Sequence, residues 1–499
     1  MRQVYRFCCI LLGVMFLSPA TVVAQDPFEE LVNKAMKDYD KAVNTALGDY
    51  QAICDKAEED YARALREAWS ISSSIKGVEP PKMSPVPPVK YVKEEKKEFS
   101  KDLPVVKDKV ISVKRQEAVE PVYPEYVPKD VEKDGVNIFS FSFYGNFIGL
   151  EMGDEHRFTL RSIDEQDIAD AWTRFSHNDY KRLIATCLIM REEYELCDWA
   201  YLEMLNYAFE NLFKGNCNES TLLTAYVFAQ SGYRIRLGKS NNKLYMLYAC
   251  DCTVFSKNFW VVDGENYYLY DDENVNSLSI CKARYDNEHP LSLQIDGLPF
   301  RIGYDNSVKR EFKSGNNFSV TASTNVNKDL IQFFDKYPSG GSDNEKWSIC
   351  ANVPLSDGAK AAMYPSLRKS IAGKSEIDAL NTLLNFVQTA FEYEYDDKVW
   401  GRDRVFFAEE TLYYPYADCE DRSILFARLV RDLMGLDVVF LYYPGHLATA
   451  VKCKQQQKGD YITVQSERYL VCDPTYINAP AGKSIPQTAD KSVTVIKLN

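Results

Sequence analysis

The order of elements near the C-terminus constrains the fold more than any other feature of the sequence. Cys419 opens an apolar helical run, His446 opens an alternating strand, and Asp473 closes a later strand. A helix with an apolar stripe, followed by half-buried strands, favours a helix packed on a sheet. We therefore predict an α+β fold in which Cys419 lies at a helix N-terminus and Gly435 ends that helix.

These three residues are of the types that thiol catalysis needs. A thiol nucleophile requires a base, and the base requires a group that orients it. The chain has four histidines, and His446 is the only one that follows Cys419. The sequence thus predicts Cys419 as nucleophile, His446 as base and Asp473 as orienting group. At a helix N-terminus, free N–H groups stabilise a thiolate and can donate to an oxyanion.

Structural packing and metal binding are the alternatives to catalysis for these residues. A single Cys, His or Asp is more often structural than catalytic, so a purely structural trio remains an alternative. A zinc site is disfavoured, because the chain has no C-x-x-C pair and Cys250-x-Cys252 is too closely spaced for tetrahedral ligation. We predict no metal and no cofactor.

Three short motifs resemble the transglutaminase-like superfamily of papain-type thiol enzymes, over roughly residues 375 to 486. They are Asp418-Cys419-Glu420-Asp421-Arg422-Ser423, Gly445-His446 and Asp473-Pro474-Thr475. The resemblance implies a papain-like core, a Cys-His-Asp triad and a secreted bacterial protein. Papain-like enzymes complete the oxyanion hole with a side-chain donor, which predicts that role for Gln388 or Trp400. Packing is the alternative for both.

A shift of 202 residues lays residues 419–473, the second repeat, on residues 217–271, the first repeat, without a gap. Cys217, Leu244 and Asp271 then stand in place of the nucleophile, the base and the orienting group. Leucine cannot accept a proton, and no histidine lies between Cys217 and Asp271. We predict a degenerate, inactive copy that stabilises the pair or helps build a substrate groove. Coincidence is the alternative.

The N-terminus has the pattern of a secretory signal peptide. Arg2 and Arg6 precede an apolar run, and Ala24 is the expected cleavage site, so we predict signal peptide 1–24 and a periplasmic or extracellular protein. No later run reaches the ~18 apolar residues of a membrane helix. The net charge of −13 argues against nucleic acid as a partner. Removing Cys8 and Cys9 leaves an odd number of cysteines, which suits a reactive thiol plus possible disulfides.

Residues 25–73 predict a long helix, because Asp38-Tyr39, Asp49-Tyr50 and Asp60-Tyr61 repeat every 11 residues. A coiled coil that forms a homo-oligomer or binds a partner protein is favoured over a helix lying on its own domain. Residues 74–134, rich in Pro, Lys and Glu, predict an extended linker.

The remaining chain predicts three parts. Residues 135–284 form the degenerate transglutaminase-like domain, and residues 371–499 form the catalytic one. Between them, residues 285–370 alternate in short runs such as Phe300-Arg301-Ile302 and Trp347-Ser348-Ile349, which predicts a β-rich segment.

The predicted function is an exported cysteine-dependent acyl-transfer enzyme that hydrolyses peptide or side-chain amide bonds of a peptide or protein substrate. The alternative is a non-catalytic assembly protein that uses the long helix and the tandem folds as a scaffold. The sequence leaves open the substrate and the choice between hydrolysis and transamidation.

Overall fold

The structure is a computed structural model, and its described parts begin after the predicted signal peptide. They are residues 25–80, 87–91, 105, 107–112, 137–176, 178–295, 297–298, 306–315, 319–341, 345–488 and 491–498. The predicted signal peptide and the predicted strand at Phe300-Arg301-Ile302 lie outside the described residues. None of the described helices is long and apolar enough to cross a membrane.

The chain divides into two compact units, residues 1–60 and 61–499. The described part of the first unit is helical and belongs to helix α1, Gln25–Glu67. The helix ends sooner than we expected, since Trp69–Ser73 form strand β1. In this strand the large residues Trp69 and Ile71 alternate with small serines, a period of two that fits extended backbone.

The end of the predicted helix and part of the predicted linker are built into the sheets of the second unit. Strand β1 pairs antiparallel with β9, Ser277–Cys281. Strand β2, Lys107–Ser112, pairs parallel with β16, Val493–Lys497. The composition of the linker indicated a solvated tether. In the structure, backbone hydrogen bonds to distant strands order these segments. Such pairing cannot be predicted from composition, because it depends on the partner strand.

The second unit has mixed α and β structure, as expected for an α+β fold. After hairpin β3–β4 come four helices and five strands, then a second hairpin, helices and five more strands. The first group is β3 Ile138–Phe143, β4 Asn146–Glu151, α2 Glu165–Phe175, α3 Asn178–Glu193, α4 Asp198–Phe213, α5 Asn218–Gln230, β5 Ile235–Ser240, β6 Lys243–Ala249, β7 Phe259–Val262, β8 Glu265–Leu269 and β9.

The second group completes the unit. It is β10 Ser307–Lys313, β11 Thr321–Asn327, α6 Lys328–Lys336, α7 Glu345–Asn352, α8 Asp357–Ile371, α9 Glu376–Ala390, α10 Asp396–Val399, α11 Ala408–Tyr413, α12 Cys419–Met434, β12 Val438–Tyr443, β13 His446–Val451, β14 Tyr461–Val464, β15 Glu467–Cys472 and β16.

The predicted β-rich segment is only partly β. Strands β10 and β11 form a two-stranded sheet, but α6, α7 and α8 follow them. Trp347-Ser348-Ile349, which we expected to be a strand, lies in α7. Trp347 and Ala351 are fully buried on one face of that helix, and this four-residue spacing outweighs the short alternation.

The two repeats have the same arrangement. Each has a helix followed by four strands, in sheet orders β5-β6-β8-β7 and β12-β13-β15-β14. Strands β9 and β16 then add beside β5 and β12 in their respective sheets. Helices α5 and α12 are buried over most of their length, so each repeat covers one face of its sheet with its helix.

Candidate functional site

Helix α12 begins where the sequence predicts and presents Cys419 as its first residue. Asp418 is the N-cap, and its side chain accepts hydrogen bonds from the N–H groups of Glu420 and Asp421. The side chain of Asp421 accepts in return from Asp418 N, at 3.3 Å. Gly435 ends the helix with a φ of 62°, which a residue without Cβ adopts at no steric cost. The N-terminal position predicted for Cys419 is thus confirmed.

The start of strand β13 lies beside this helix terminus. Ser423, one turn after Cys419, donates its hydroxyl to Leu447 O at 2.9 Å. The backbone N–H of Leu447 in turn acts to lower the pKa of the Cys419 thiol. His446, the first residue of β13, is therefore brought next to the nucleophile position.

His446 and Asp473 form a buried pair. His446 Nε2 lies 2.8 Å from Asp473 Oδ2, and both side chains are essentially inaccessible. The other oxygen of Asp473 accepts from Thr475 N at 2.9 Å and Tyr476 N at 3.2 Å, which fixes the carboxylate plane. Because Nε2–H donates to the carboxylate, Nδ1 carries the free lone pair. Nδ1 is buried and has no hydrogen-bond partner within the described structure.

The thiol itself is closed off from solvent. Cys419 is 0% exposed, and its Sγ lies 3.6 Å from Glu420 Oε2. Burial first, and then the neighbouring carboxylates Asp418 and Glu420, raise the pKa of the Cys419 thiol well above its usual range. The Leu447 N–H opposes this rise. The thiolate stabilisation that we expected from the helix N-terminus is thus outweighed in this closed arrangement.

Gln388 is fully engaged elsewhere. Its Nε2 donates to Asp473 O at 2.9 Å and to Ala479 O at 3.1 Å, while its Oε1 accepts from Asn478 N at 3.1 Å. Gln388 therefore braces the loop that follows β15 and holds Asp473 in place. Both of its amide protons have acceptors, so we do not retain it as an oxyanion donor.

Trp400 lies at the end of α10 in an aromatic cluster. Its ring makes edge contacts with Phe406 and Tyr414, at centroid distances of 5.8 and 4.9 Å. The Arg404 guanidinium lies over the same ring at 4.5 Å. These contacts describe a packing residue, and its predicted oxyanion role stays a prediction.

Tyr393 is a candidate that sequence reasoning missed. Its hydroxyl is buried and has no hydrogen-bond partner among the described residues. Burial first, and next the charge of Cys419, raise the pKa of the Tyr393 phenol. Its ring lies 5.1 Å from the guanidinium carbon of Arg422, in the first turn of α12. Its signal was present in the Glu392–Tyr395 segment, whose tyrosine and glutamate pattern recurs before the first repeat as well.

The first repeat places a lysine, not a leucine, at the position of His446. In the β12–β13 hairpin Tyr443 pairs with His446, and in the β5–β6 hairpin Ser240 pairs with Lys243. The gapless shift that aligned Leu244 with His446 is therefore off by one residue at this hairpin. The cause is one extra residue between the first residues of β6 and β7, compared with β13 and β14.

The chemistry of that position differs accordingly. Lys243 Nζ lies 2.5 Å from Glu273 Oε1 and 3.8 Å from Asp271 Oδ2, so ion pairs replace the imidazole–carboxylate pair of the second repeat. Leu244 is buried, and its N–H donates to Asn218 Oδ1 at 2.8 Å. Cys217 is the N-cap of α5 and is partly exposed. The first repeat, as described, thus has a cysteine and an aspartate but no histidine.

A groove of about 930 Å³ lies between the two halves of the second unit. Aromatic and charged side chains line it from both sides: Trp199, Lys257 and Tyr270 from the first half, and Lys346, Asp403 and Phe407 from the second. Cys419 does not line it. Asp403, which lines the groove, lies close to two buried carboxyl groups, since one oxygen each of Asp396, Asp403 and Glu420 lie within 4.8 Å of one another.

The cysteines of the described chain, from Cys54 to Cys472, are all free thiols. The possible disulfides of the sequence prediction are therefore not formed among them.

Comparisons with known proteins give no assignment. A scan against protein-family models found no match, and neither a search of curated proteins nor a search of solved structures found one.

Proposed function

We propose that this protein is an exported, papain-like cysteine hydrolase of the transglutaminase-like type that acts on peptide or side-chain amides. The observation that carries the proposal is the buried His446–Asp473 pair. It leaves one imidazole nitrogen without a partner among the described residues, next to the helix terminus that carries Cys419. A buried nitrogen without a hydrogen-bond partner destabilises the folded state. A role for Nδ1 as the acceptor of the thiol proton explains why it is kept in this position.

His446 acts as both base and acid in this mechanism. Its Nδ1 takes the proton of the Cys419 thiol as Sγ attacks the amide carbonyl. Asp473 holds the tautomer with the proton on Nε2 and stabilises the imidazolium. His446 then returns its proton to the leaving amine, and a thioester remains on Cys419. Water, deprotonated by His446, hydrolyses the thioester.

Two donors are suited to the oxyanion of the tetrahedral intermediate. The first is the backbone N–H of Cys419, because Asp418 caps the following two N–H groups instead. The second is the Tyr393 hydroxyl, which has no partner in the described structure and belongs to a ring that contacts Arg422, in the first turn of α12.

The described state is a closed one. Cys419 is fully buried, and its sulfur contacts Glu420 while His446 Nδ1 has no partner among the described residues. The proposal therefore includes an opening of the surroundings of Cys419 that admits substrate and transfers the thiol contact from Glu420 to His446. The groove lined by Lys346 and Asp403 is the proposed approach route.

The same closure favours the second candidate, a non-catalytic assembly protein that keeps the trio as buried core residues. Long helix α1 would supply its binding surface, as the sequence suggested. In this case the Cys419 thiol would never become reactive.

Alkylation of each cysteine by iodoacetamide, followed by mass spectrometry between about pH 4 and 9, separates the two. For an enzyme we expect Cys419 to react below neutral pH in the wild type and to lose that reaction in His446→Ala. Cys217, which has no histidine partner among the described residues, serves as an internal control in the same sample. Equal Cys419 rates with and without His446 would reject the hydrolase and retain the assembly protein.

A further inference from the structure

Two free thiols of the first repeat lie in contact just after strand β6. Cys250 Sγ lies 3.6 Å from Cys252 Sγ, and neither sulfur belongs to a disulfide. Asp251 and Cys252 lie in a bend that follows the strand. Because the two sulfurs are already this close, a small movement of the side chains brings them to the length of a disulfide bond, about 2.05 Å.

Backbone hydrogen bonds hold the chain on either side of the pair. Asp251 N donates to Leu291 O at 3.0 Å, and Gly341 N donates to Thr253 O at 2.9 Å. The two cysteines lie between these fixed points, so the fold itself keeps their sulfurs together. Closing a disulfide here involves the side chains and the bend rather than the sheet.

The exposure of the pair differs from that of cysteines that pack as core residues. Cys187 and Cys350 are buried, whereas Cys250 and Cys252 are both partly exposed. A buried structural thiol is inert, but an accessible thiol reacts with oxidants and with other disulfides. In an exported protein, as proposed above, such a pair meets oxidising conditions.

The two thiols are not equivalent in reactivity. Asp251 Oδ1 lies 3.7 Å from Cys250 Sγ. Removal from water first, and then the contact with Cys252, raise the pKa of the Cys250 thiol well above its usual range. Because only a thiolate attacks a disulfide, Cys250 is the slower of the two to react. This assigns the first attack to Cys252.

We propose that Cys250 and Cys252 form a redox-active dithiol site, which a small-molecule disulfide such as oxidised glutathione converts reversibly into a protein disulfide. Cys252 Sγ, as thiolate, attacks one sulfur of the reagent. The other sulfur leaves as a thiolate, and a mixed disulfide remains on Cys252. Cys250 Sγ, once deprotonated, attacks the Cys252 sulfur and releases the second thiolate.

The exchange is balanced without any further oxidant. The protein gives up two electrons and two protons, and the disulfide of the reagent is reduced to two thiols. An exposed disulfide of this kind is easily reduced again, which makes the site reversible. The site goes beyond the hydrolase proposal and does not depend on Cys419.

Oxidation has a consequence for the groove between the two halves of the second unit. Val254 and Phe255, which follow the pair in the chain, line the groove together with Ser339 and Gly340. Phe255 N donates to Ser339 O at 2.8 Å, and a Cβ added at Gly340 would lie 3.2 Å from Cys252 Sγ. Disulfide formation moves that sulfur, so this wall of the groove must adjust with it.

Equilibration of the full chain in glutathione buffers of increasing oxidised fraction tests the site. After quenching with acid, free thiols are blocked with N-ethylmaleimide, and the peptides are measured by mass spectrometry. We expect the peptide that carries Cys250 and Cys252 to bind two maleimides in reduced buffer and none in oxidised buffer. The transition should reverse when dithiothreitol is added.

Single variants distinguish a dithiol from two independent thiols. In Cys250→Ser, the mixed disulfide between glutathione and Cys252 has no second thiol to resolve it, so it should accumulate at least about tenfold over wild type. Cys217→Ser is the matched control, because it removes another partly exposed thiol of the first repeat. This control should leave the transition of the pair unchanged.

Two maleimides on this peptide at every glutathione ratio would overturn the dithiol site. Glutathione adducts on both cysteines without a bond between them, or a bond from either one to another cysteine, would also overturn it. Protection from maleimide in reduced buffer that a chelator removes would assign the pair to a bound metal ion instead. The wild-type titration decides even if Cys250→Ser does not fold. Because it measures no hydrolysis, failure of the hydrolase leaves this result unaffected.

Discussion

The first and second repeats have the same strand order but differ at the positions that carry chemistry. The second has a buried cysteine and a buried imidazole–carboxylate pair. The first has a partly exposed cysteine and a lysine–aspartate ion pair, with Lys243 and Asp271 partly accessible. A helix packed on a four-stranded core thus persists without the histidine. The comparison indicates that the scaffold depends on the apolar pattern, and that the proposed activity depends on a few polar positions.

Substitution of the two equivalent cysteines is expected to give the largest effect, which is on the rate of amide hydrolysis. Cys419→Ala should reduce amide hydrolysis about 10³-fold or more, because the nucleophile is lost. Cys217→Ala should leave the rate within about twofold, as expected for a partly exposed residue outside the triad. The measurement is release of amine from a peptide-amide library. Equal losses in both variants would mean that the repeats act together, contrary to the assignment of the second repeat alone.

The next effect concerns the aspartates. Asp473→Asn should lower the rate about 10²- to 10⁴-fold, because an amide favours the wrong tautomer of His446. Asp271→Asn should change it little, since Asp271 contacts Lys243 and no imidazole among the described residues. Comparison of pH–rate profiles separates a catalytic from a folding defect. A variant that merely folds poorly should lose amplitude without a change in the profile's shape.

A smaller effect is expected on the pH dependence of the free energy of unfolding. It arises from the buried carboxyl group of Glu409, near the second repeat. Burial raises the pKa of Glu409 to about 7 from 4.5, despite hydrogen bonds from Ser356. The folded state therefore holds a proton that the unfolded state releases between about pH 4.5 and 7. This contribution to stability is present at low pH and is lost as pH rises through that window.

Glu409→Gln should remove that loss. We expect the variant to be about 3 kcal/mol more stable than wild type above pH 7 and nearly equal to it near pH 4.5. Denaturant unfolding at both pH values is the measurement. Glu203, whose pKa is raised to about 7 mainly by burial, gives the corresponding test in the first half through Glu203→Gln. A parallel shift at both pH values would contradict the linkage.

The smallest effect is expected for Lys243→Met. Its ion pairs with Glu273 and Asp271 are partly exposed, and such pairs contribute about 0–1 kcal/mol each. Thermal unfolding should therefore change by only a few degrees, and hydrolysis should not change. A loss of activity would show that the first repeat contributes more than support.

Local features were predictable from sequence, and non-local ones were not. The start of α12 follows from Asp418 as a cap, and its end follows from Gly435, because capping is decided within one turn. The equivalence of Lys243 with His446 was hidden, since one extra residue between strands is invisible to a gapless comparison. The contact of Tyr393 with Arg422, at the start of α12, joins different elements of the chain and needs the folded structure.

The segment between α1 and the first hairpin also escaped prediction, for a related reason. The composition of residues 69–73 and 107–112 does not indicate which distant strand each segment will pair with. The segment around Trp347 was wrongly predicted because a three-residue alternation is too short to distinguish a strand from a helix. The buried residues one helical turn apart identify the helix only when a longer window is considered.

The edge position of β1 and β2 has a practical consequence for expression of shorter versions of this protein. A chain that starts at residue 135 would lose both strands and expose the backbone edges of β9 and β16. Uncovered edges pair with other chains and cause aggregation. In the intact chain, Lys107 and Lys109 on the outer strand provide charges that oppose such pairing. Strands β1 and β2, which precede both repeats in the chain, thus protect the solubility of both sheets.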